Sequence, residues 1–339
     1  MNVEYTYIDP KNPPIEYVEM LKNWYGIEKW ARFKKYQFEW YQKYEDYKVF
    51  TAKDGNRFIG QASAFKVPVA VDNHEVELWW GVDTFLFKEY RGKGVGKYLQ
   101  LQLHKDCPNF SSAAYTPKNA IVKRKCGGKD WFQKNIYYYP VSSYLQLLIS
   151  ICLKKTFALD IPFKFVPFSV YTHKSPAVVK HFEVEKSPIN EEIVRFMNSS
   201  LRRKYDFFVK KNLDYLKWKY QDNPAFSYTF ITFRKAGEIK AVVGFTDVRK
   251  YSIGGKFVRG IKILDSITSP DNILSDTNLL CYVMQYCKKN NMNIDGVFSL
   301  TKCNCYPYIH IAKPVLSTCL YDVQAPYLTF LDQDMEQEM

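Results

Sequence analysis

Apolar and polar positions along the chain fall into segments of helical and strand period, and these segments run in the same order twice. Residues 15–25 and 28–44 carry Trp24, Trp30, Phe33, Phe38 and Trp40 on apolar faces and predict two helices. Shorter apolar runs follow at 47–52, 57–69 and 75–87 and predict strands. Asp54-Gly55-Asn56 and Val71-Asp72-Asn73 separate them as turns. A good helix former runs from Tyr98 to Lys105, a short strand is expected at 111–116, and a further helix over 117–128. In the second half, 191–204 and 212–220 read as helices, 228–233, 239–248 and 256–268 as strands, 277–289 as a helix and 295–300 as a strand. The segment YLKWKYQDNP parallels QFEWYQKYED in placing a Trp near a helix end before a strand. The order of elements therefore predicts an internal repeat of one α/β fold with a mixed sheet.

Between the third strand and its helix lies Tyr90-Arg91-Gly92-Lys93-Gly94-Val95-Gly96-Lys97. Glycines at alternate positions admit positive φ and keep side chains out of the way. The free N–H groups and positive dipole end of the following helix suit an anion. Arg91, Lys93 and Lys97 add full charges, so the stretch reads as a diphosphate cradle. A P-loop needs four residues between its glycines and a hydroxyl after its lysine; here three residues separate Gly92 from Gly96, and Tyr98 follows Lys97. The glycine spacing also departs from the dinucleotide fingerprint.

The 339 residues suffice for two domains of ordinary size. A formal net charge of +13 predicts attraction to an anion, whether coenzyme, nucleic acid, acidic glycan or lipid surface, and charge alone does not choose. There is no basic tail of the kind that binds nucleic acid without folding. The polar N-terminal residues 1–14 lack the apolar core of a signal peptide. The most apolar window, 144–153, is far shorter than the roughly 20 residues of a membrane span and reads as a buried helix. Eight scattered cysteines with no Cys-x-x-Cys suit reduced thiols in a cytoplasm. Cys303 and Cys305 with His310 are too isolated for a metal site, and no metal is expected. No histidine, serine or cysteine sits in a nucleophile motif.

The pattern Arg/Gln-x-x-Gly-x-Gly/Ala, after a strand and before a helix, fits Arg91-Gly92-Lys93-Gly94-Val95-Gly96 at every defined position. With VDTFLFKEYRGKGVGKYL around it, the chain resembles the Gcn5-related N-acetyltransferases. The resemblance covers most of the first 140 residues, and in the second half only the order of elements. It implies two such domains in tandem: 1–140 binding acetyl-coenzyme A, a packed connection over 141–188, and a second domain over 189–339. The second counterpart loop, residues 269–276, has two Asp residues and no Gly, Lys or Arg, so it is not expected to bind the coenzyme.

The implied activity is transfer of an acetyl group from acetyl-coenzyme A to a primary amine by direct attack on the thioester. Phe85, Leu86 and Phe87, the loop Arg91, Gly92, Lys93, Gly94, Val95, Gly96 and Lys97, and Asn119 at the start of the next helix would bind the coenzyme. A backbone N–H near Leu86 or Phe87 would stabilise the oxyanion. Glu77 and Asp83, both at odd positions of the strand, are the candidate bases and would share a face. Many relatives carry a Tyr late in the helix after the loop as proton donor. Lys123 and Arg124 occupy that region here, leaving Tyr115, one of Tyr137, Tyr138 and Tyr139, or no residue for the role. Asp83-Thr84 before the loop resembles a subset found with polysaccharide and cell-envelope genes, which implies an amino sugar or envelope-precursor acceptor. The alternatives are a tandem aminoacyl transferase of the peptidoglycan type and a non-catalytic coenzyme A binding protein.

Overall fold

The computed structural model describes residues 2–71, 74–107, 109–113, 117–140, 152, 179, 181–224, 227–253, 256–271, 273–299 and 309–317. The 144–153 helix apart from Cys152, the 141–188 connection apart from 152, 179 and 181–188, Tyr115, Cys303 and Cys305 lie outside them.

The first half runs β1 (Val3–Ile8), α1 (Ile15–Tyr25), α2 (Ile27–Phe33), α3 (Glu39–Tyr41), β2 (Tyr47–Asp54), β3 (Arg57–Val71), β4 (His74–Leu86), α4 (Val95–Asp106), β5 (Phe110–Ala113), α5 (Pro117–Lys125) and β6 (Lys129–Pro140). The second runs β7 (Glu183–Lys186), α6 (Glu191–Lys204), β8 (Phe207–Val209), α7 (Leu213–Leu216), β9 (Tyr228–Lys235), β10 (Glu238–Thr246), β11 (Arg249–Ile253), β12 (Lys256–Thr268), α8 (Asp276–Lys289), β13 (Gly296–Ser299) and β14 (Ile309–Ser317). The repeat is visible: β2–β3–β4 and β9–β10–β12 are antiparallel meanders. A helix follows each, and β5 pairs parallel to β4 as β13 pairs parallel to β12.

The strands join in one sheet, ordered β1-β2-β3-β4-β5-β14-β6-β13-β12-β10-β9-β7, with β8 on β3 and β11 on β12. The halves exchange strands at its centre. β14, from the second half, sits between β5 and β6 of the first. β6, from the first half, sits between β14 and β13. Each half thus completes its sheet with a strand of the other.

One buried cluster crosses the boundary, joining Tyr17, Leu21, Phe33 and Phe65 to Met197, Leu216, Phe230 and Leu264. At its middle Trp40 and Trp218 stack with ring centroids 4.5 Å apart. The indole N–H of Trp40 donates to the Trp218 carbonyl at 2.8 Å, and that of Trp218 to the Trp40 carbonyl at 3.1 Å. Each Trp belongs to a helical stretch containing a π-turn, Lys34–Phe38 before Trp40 and Lys217–Gln221 around Trp218. The two Trp-bearing segments paired in the sequence therefore meet in a reciprocal contact.

The expected helix over 28–44 is present as α2, the π-turn and α3 in succession. β1, β6, β8, β11 and β14 have no counterpart in the expected elements, and β7 is a strand within the expected packed connection. β1 alternates partly buried and exposed positions weakly, and β7 is mostly exposed, so neither shows a strong apolar period. No helix among the described residues is long and apolar enough to cross a membrane.

Candidate active site at the β4–β5 gap

Among the described residues β4 and β5 pair at Trp79–Phe110 and Trp80–Ser111. β4 continues for six more residues, and the gap so opened is the start of the site. Up to Val82, even-numbered side chains such as Leu78 and Trp80 face the α1–α2 core, whereas Trp79 faces α4. A bulge then resets the phase. Gln61 pairs with Phe85 and Ser63 with Val82, so Asp83 and Thr84 together stand opposite Ala62. Asp83 adopts φ 43°, the left-handed region that Asp tolerates better than most residues. After the bulge Phe85 turns to the α1 side and Leu86 to the α4 side.

Phe87 donates its N–H to the Ile59 carbonyl at 3.0 Å, next to the Gly60–Leu86 pair. In an antiparallel ladder this makes Gly60–Leu86 a non-hydrogen-bonded pair, so the Leu86 N–H and C=O point away from β3 into the gap. Of the two candidate oxyanion donors, the Leu86 N–H is directed to the gap and that of Phe87 is engaged. Arg91 Nε caps the Leu86 carbonyl at 2.8 Å and so fixes the loop to the strand.

The loop leaves β4 through a short 3₁₀ turn, Lys88–Tyr90, and enters α4 at Gly94. Tyr90 is tied by its hydroxyl to Asp54 Oδ2 at 3.1 Å. Gly92 and Gly94 have φ of 79° and 85°, which an L-residue adopts at a cost. Gly96 does not: it lies in the first turn of α4, and an added Cβ would meet only Leu86 Cδ2 at 3.8 Å. Of the three glycines expected to admit positive φ, Gly92 and Gly94 use that freedom. No side chain caps α4, and helix geometry leaves the N–H groups of Val95, Gly96 and Lys97 without intrahelical partners. Val95, Leu99 and Leu103, four residues apart, are buried and hold α4 on the sheet.

A cavity of about 650 Å³ joins the gap to the loop. Of the expected coenzyme residues, Phe85, Leu86, Arg91, Gly92, Gly94, Gly96, Lys97 and Asn119 line it. Val95 is buried beneath the loop, Lys93 is exposed with its Nζ over the Tyr90 ring, and Phe87 sits behind, with the Arg57 guanidinium over its ring. Residues missed from the sequence are Trp24, Thr84, Leu99, Lys118, Val122 and Lys125. Lys118, Val122 and Lys125 share a face with Asn119 by helical spacing, a signal the sequence held. Trp24 stacks on Phe85 at 4.3 Å, and nothing in the local pattern distinguishes it from a core aromatic. Arg91, Lys97, Lys118 and Lys125 give the lining four cations and no carboxylate. Such a wall favours a ligand bearing several phosphates.

The two candidate bases are not brought together. Glu77 is on the exposed part of β4 and pairs with Lys66 at 3.1 Å. Asp83 lies in the bulge, with Oδ2 sealed from water and lacking a partner. Burial lifts its carboxyl to about 7. Burial first, with the charge of Asp83 adding, also keeps the phenols of Tyr25 and Tyr47 far above their ordinary range. Gln61 donates to the Asp83 carbonyl at 2.9 Å and accepts from the Tyr17 hydroxyl at 2.6 Å, bracing the bulge against α1.

Among the candidate proton donors, Tyr137, Tyr138 and Tyr139 are buried on β6, with β14 between them and β5. Lys123, on the part of α5 where the resemblance led us to expect a proton donor, is buried and donates from Nζ to Ser112 Oγ on β5. Burial drives its ammonium down to about 7.

The sequence model of the Acetyltransferase (GNAT) family matches residues 16–115, which hold α1 through β5 and the glycine loop. Solved structures share the fold of nearly the whole chain. A probable N-acyltransferase of unknown function from Enterococcus faecalis V583 aligns at TM-score 0.57 and 10% identity, over 94% of this chain and 72% of that one. A GCN5-related N-acetyltransferase from Anabaena variabilis aligns at 0.56 and 12%, over 93% and 72%. The Saccharomyces cerevisiae N-myristoyltransferase with bound myristoyl-CoA aligns at 0.55 and 13%, over 93% and 82%. A search of curated protein sequences finds no match.

Proposed function

From the premise that residues 16–115 form a GNAT-family domain, we propose that this chain is an acetyl-coenzyme A dependent N-acetyltransferase acting on a primary amine. The fold itself supports acyl-coenzyme A dependent N-acyl transfer; the acetyl donor and amine acceptor are the finer reading. The observation that carries it is the cationic, acid-free cavity running from the loop into the β4–β5 gap.

The donor's phosphates would lie against the N–H groups opening α4 and near Arg91, Lys97, Lys118 and Lys125. Its arm would enter the gap beside Leu86. An alkylammonium costs about 4 to 5 kcal/mol to neutralise at pH 7. Asp83, lifted by burial to about 7, is the candidate to take that proton; it stands in the bulge beside Thr84, outside the lining of the cavity, and would meet an amine arriving from the α1 side. The amine nitrogen then attacks the carbonyl carbon, the C–S bond breaks, and the thiolate takes a proton. The first half, 1–140, carries this site, 141–188 connects, and the second half, 189–339, packs against it without a phosphate loop while returning β14 to its sheet. The acceptor is an amino sugar or another small envelope-type amine.

Calorimetric titration with acetyl-coenzyme A and, in parallel, myristoyl-coenzyme A tests the reading. Micromolar binding of the acetyl donor, lost in a Gly94→Asp, Gly96→Asp double variant, is the expected result. Preference for the long-chain donor would overturn acetyl specificity, and failure to bind either would overturn the coenzyme assignment.

A further inference from the structure

The Asp83–Thr84 bulge sends its two side chains to opposite faces of β4, and only Asp83 enters the reaction above. Thr84 lines the cavity. Behind it stands Gln100 of α4, a glutamine with 0% of its surface exposed. Gln100 Nε2 donates to Thr84 Oγ1 at 3.1 Å. A hydroxyl that accepts from an amide must send its own proton elsewhere. Among the described residues the Thr84 hydroxyl has no acceptor, and Gln100 Oε1 is buried with no partner. A buried side-chain amide left half satisfied is costly, so its placement calls for a reason. Orienting the hydroxyl is such a reason.

The Leu86 N–H lies two residues further along β4 and is directed into the same gap. A carbonyl oxygen held in the gap would approach that N–H along the sheet and the Thr84 hydroxyl from the α4 side. We propose that Thr84 is a second oxyanion donor, its hydroxyl bonded to the thioester carbonyl oxygen of the bound acyl donor, and that Gln100 is the positioning residue that aims it. The inference rests on the acyl-coenzyme A reading. It assigns the two bulge residues complementary work: Asp83 removes the proton of the nucleophile while Thr84 holds the oxygen on which charge develops.

Acetyl-coenzyme A labelled with ¹³C at the thioester carbonyl reads this bond directly, by isotope-edited infrared spectroscopy on the full chain. In the wild type the carbonyl band moves to lower frequency than in free acetyl-coenzyme A. In Thr84→Val, which keeps the shape and removes the hydroxyl, the band returns toward its free position while the dissociation constant stays within about twofold. Thr84→Ser keeps the shift. Gln100→Leu, which leaves Thr84 in place and unaimed, broadens the band and reduces the shift, and it serves if Thr84→Val folds poorly. A shift unchanged in Thr84→Val or Gln100→Leu overturns the proposal alone. Failure of the wild type to bind overturns it together with the reading it rests on.

Discussion

At the scale of the residue, Asp83 and its counterpart Asp265 show how one position serves two ends. Both lie three residues before the end of the strand that precedes a repeat's helix, and both strands are bulged there. Asp265 is buried with Lys211 at 3.2 Å and the Tyr220 hydroxyl on its other oxygen. Burial opposes its charge, but Lys211, Lys219 and the Tyr220 hydrogen bond outweigh that and hold the carboxyl low. Asp83 has no such cation, and burial alone raises it to about 7. The sign follows from linkage. The folded state binds this proton more tightly than the unfolded chain, whose carboxyl titrates near 4, so stability falls as pH climbs from about 4 to 7 and is level above. A shift of that size amounts to about 4 kcal/mol. Asp83→Asn keeps a residue that tolerates positive φ and removes the charge. It should be more stable than the wild type by up to about 4 kcal/mol at pH 8, and equal to it near pH 4, in urea unfolding at the two values. It should also lose acyl transfer. A stability difference independent of pH would show that Asp83 is not charged in a buried site.

At the scale of the element, the glycine loop separates what a sequence states from what only packing decides. Its place between a strand and a helix was legible, because glycines at close spacing between an apolar run and a good helix former mark such a turn. Which glycine needs which freedom was not legible. Gly92 and Gly94 are held at positive φ, whereas Gly96 sits in α4 with room for a methyl. Gly96→Ala should therefore fold at least as well as the wild type, with helix propensity favouring it by up to about 1 kcal/mol, and should still bind acetyl-coenzyme A. Gly94→Ala places a Cβ at positive φ and should cost about 1 kcal/mol and weaken binding. Thermal melts and calorimetry on the pair decide this; equal behaviour would mean that the loop geometry is not what binds the donor. The bulge was illegible for a related reason. Strict alternation put Glu77 and Asp83 on one face, and the inserted residue that breaks the phase leaves no mark in an apolar–polar pattern. Trp24 was missed because an aromatic at a helix end reads the same whether it faces a core or a cavity.

At the scale of the whole molecule, the repeat was readable in the order of elements, but the exchange of β6 and β14 was not. Strand partners that are distant in sequence are chosen by which edges remain open, and no local period encodes that. The exchange, the shared core and the Trp40–Trp218 stack have one consequence for stability. The core on the α1–α2 side of the sheet is closed within neither half, since Trp40 reaches the second half and Trp218 the first, each through a ring face and a backbone carbonyl. The chain should therefore unfold in a single transition, reported alike by tryptophan fluorescence and by far-ultraviolet circular dichroism. Replacing a buried Trp by Ala typically costs about 3 to 5 kcal/mol. Trp40→Ala and Trp218→Ala should each lower stability by that order in both signals together. Because the two rings stack and each indole bonds the other segment, the double variant should cost less than the sum of the singles. If the halves were merely joined, each single variant would melt one half early and leave the other's transition in place. Two resolved transitions, or strictly additive losses, would refute the shared core as the element that unites the molecule.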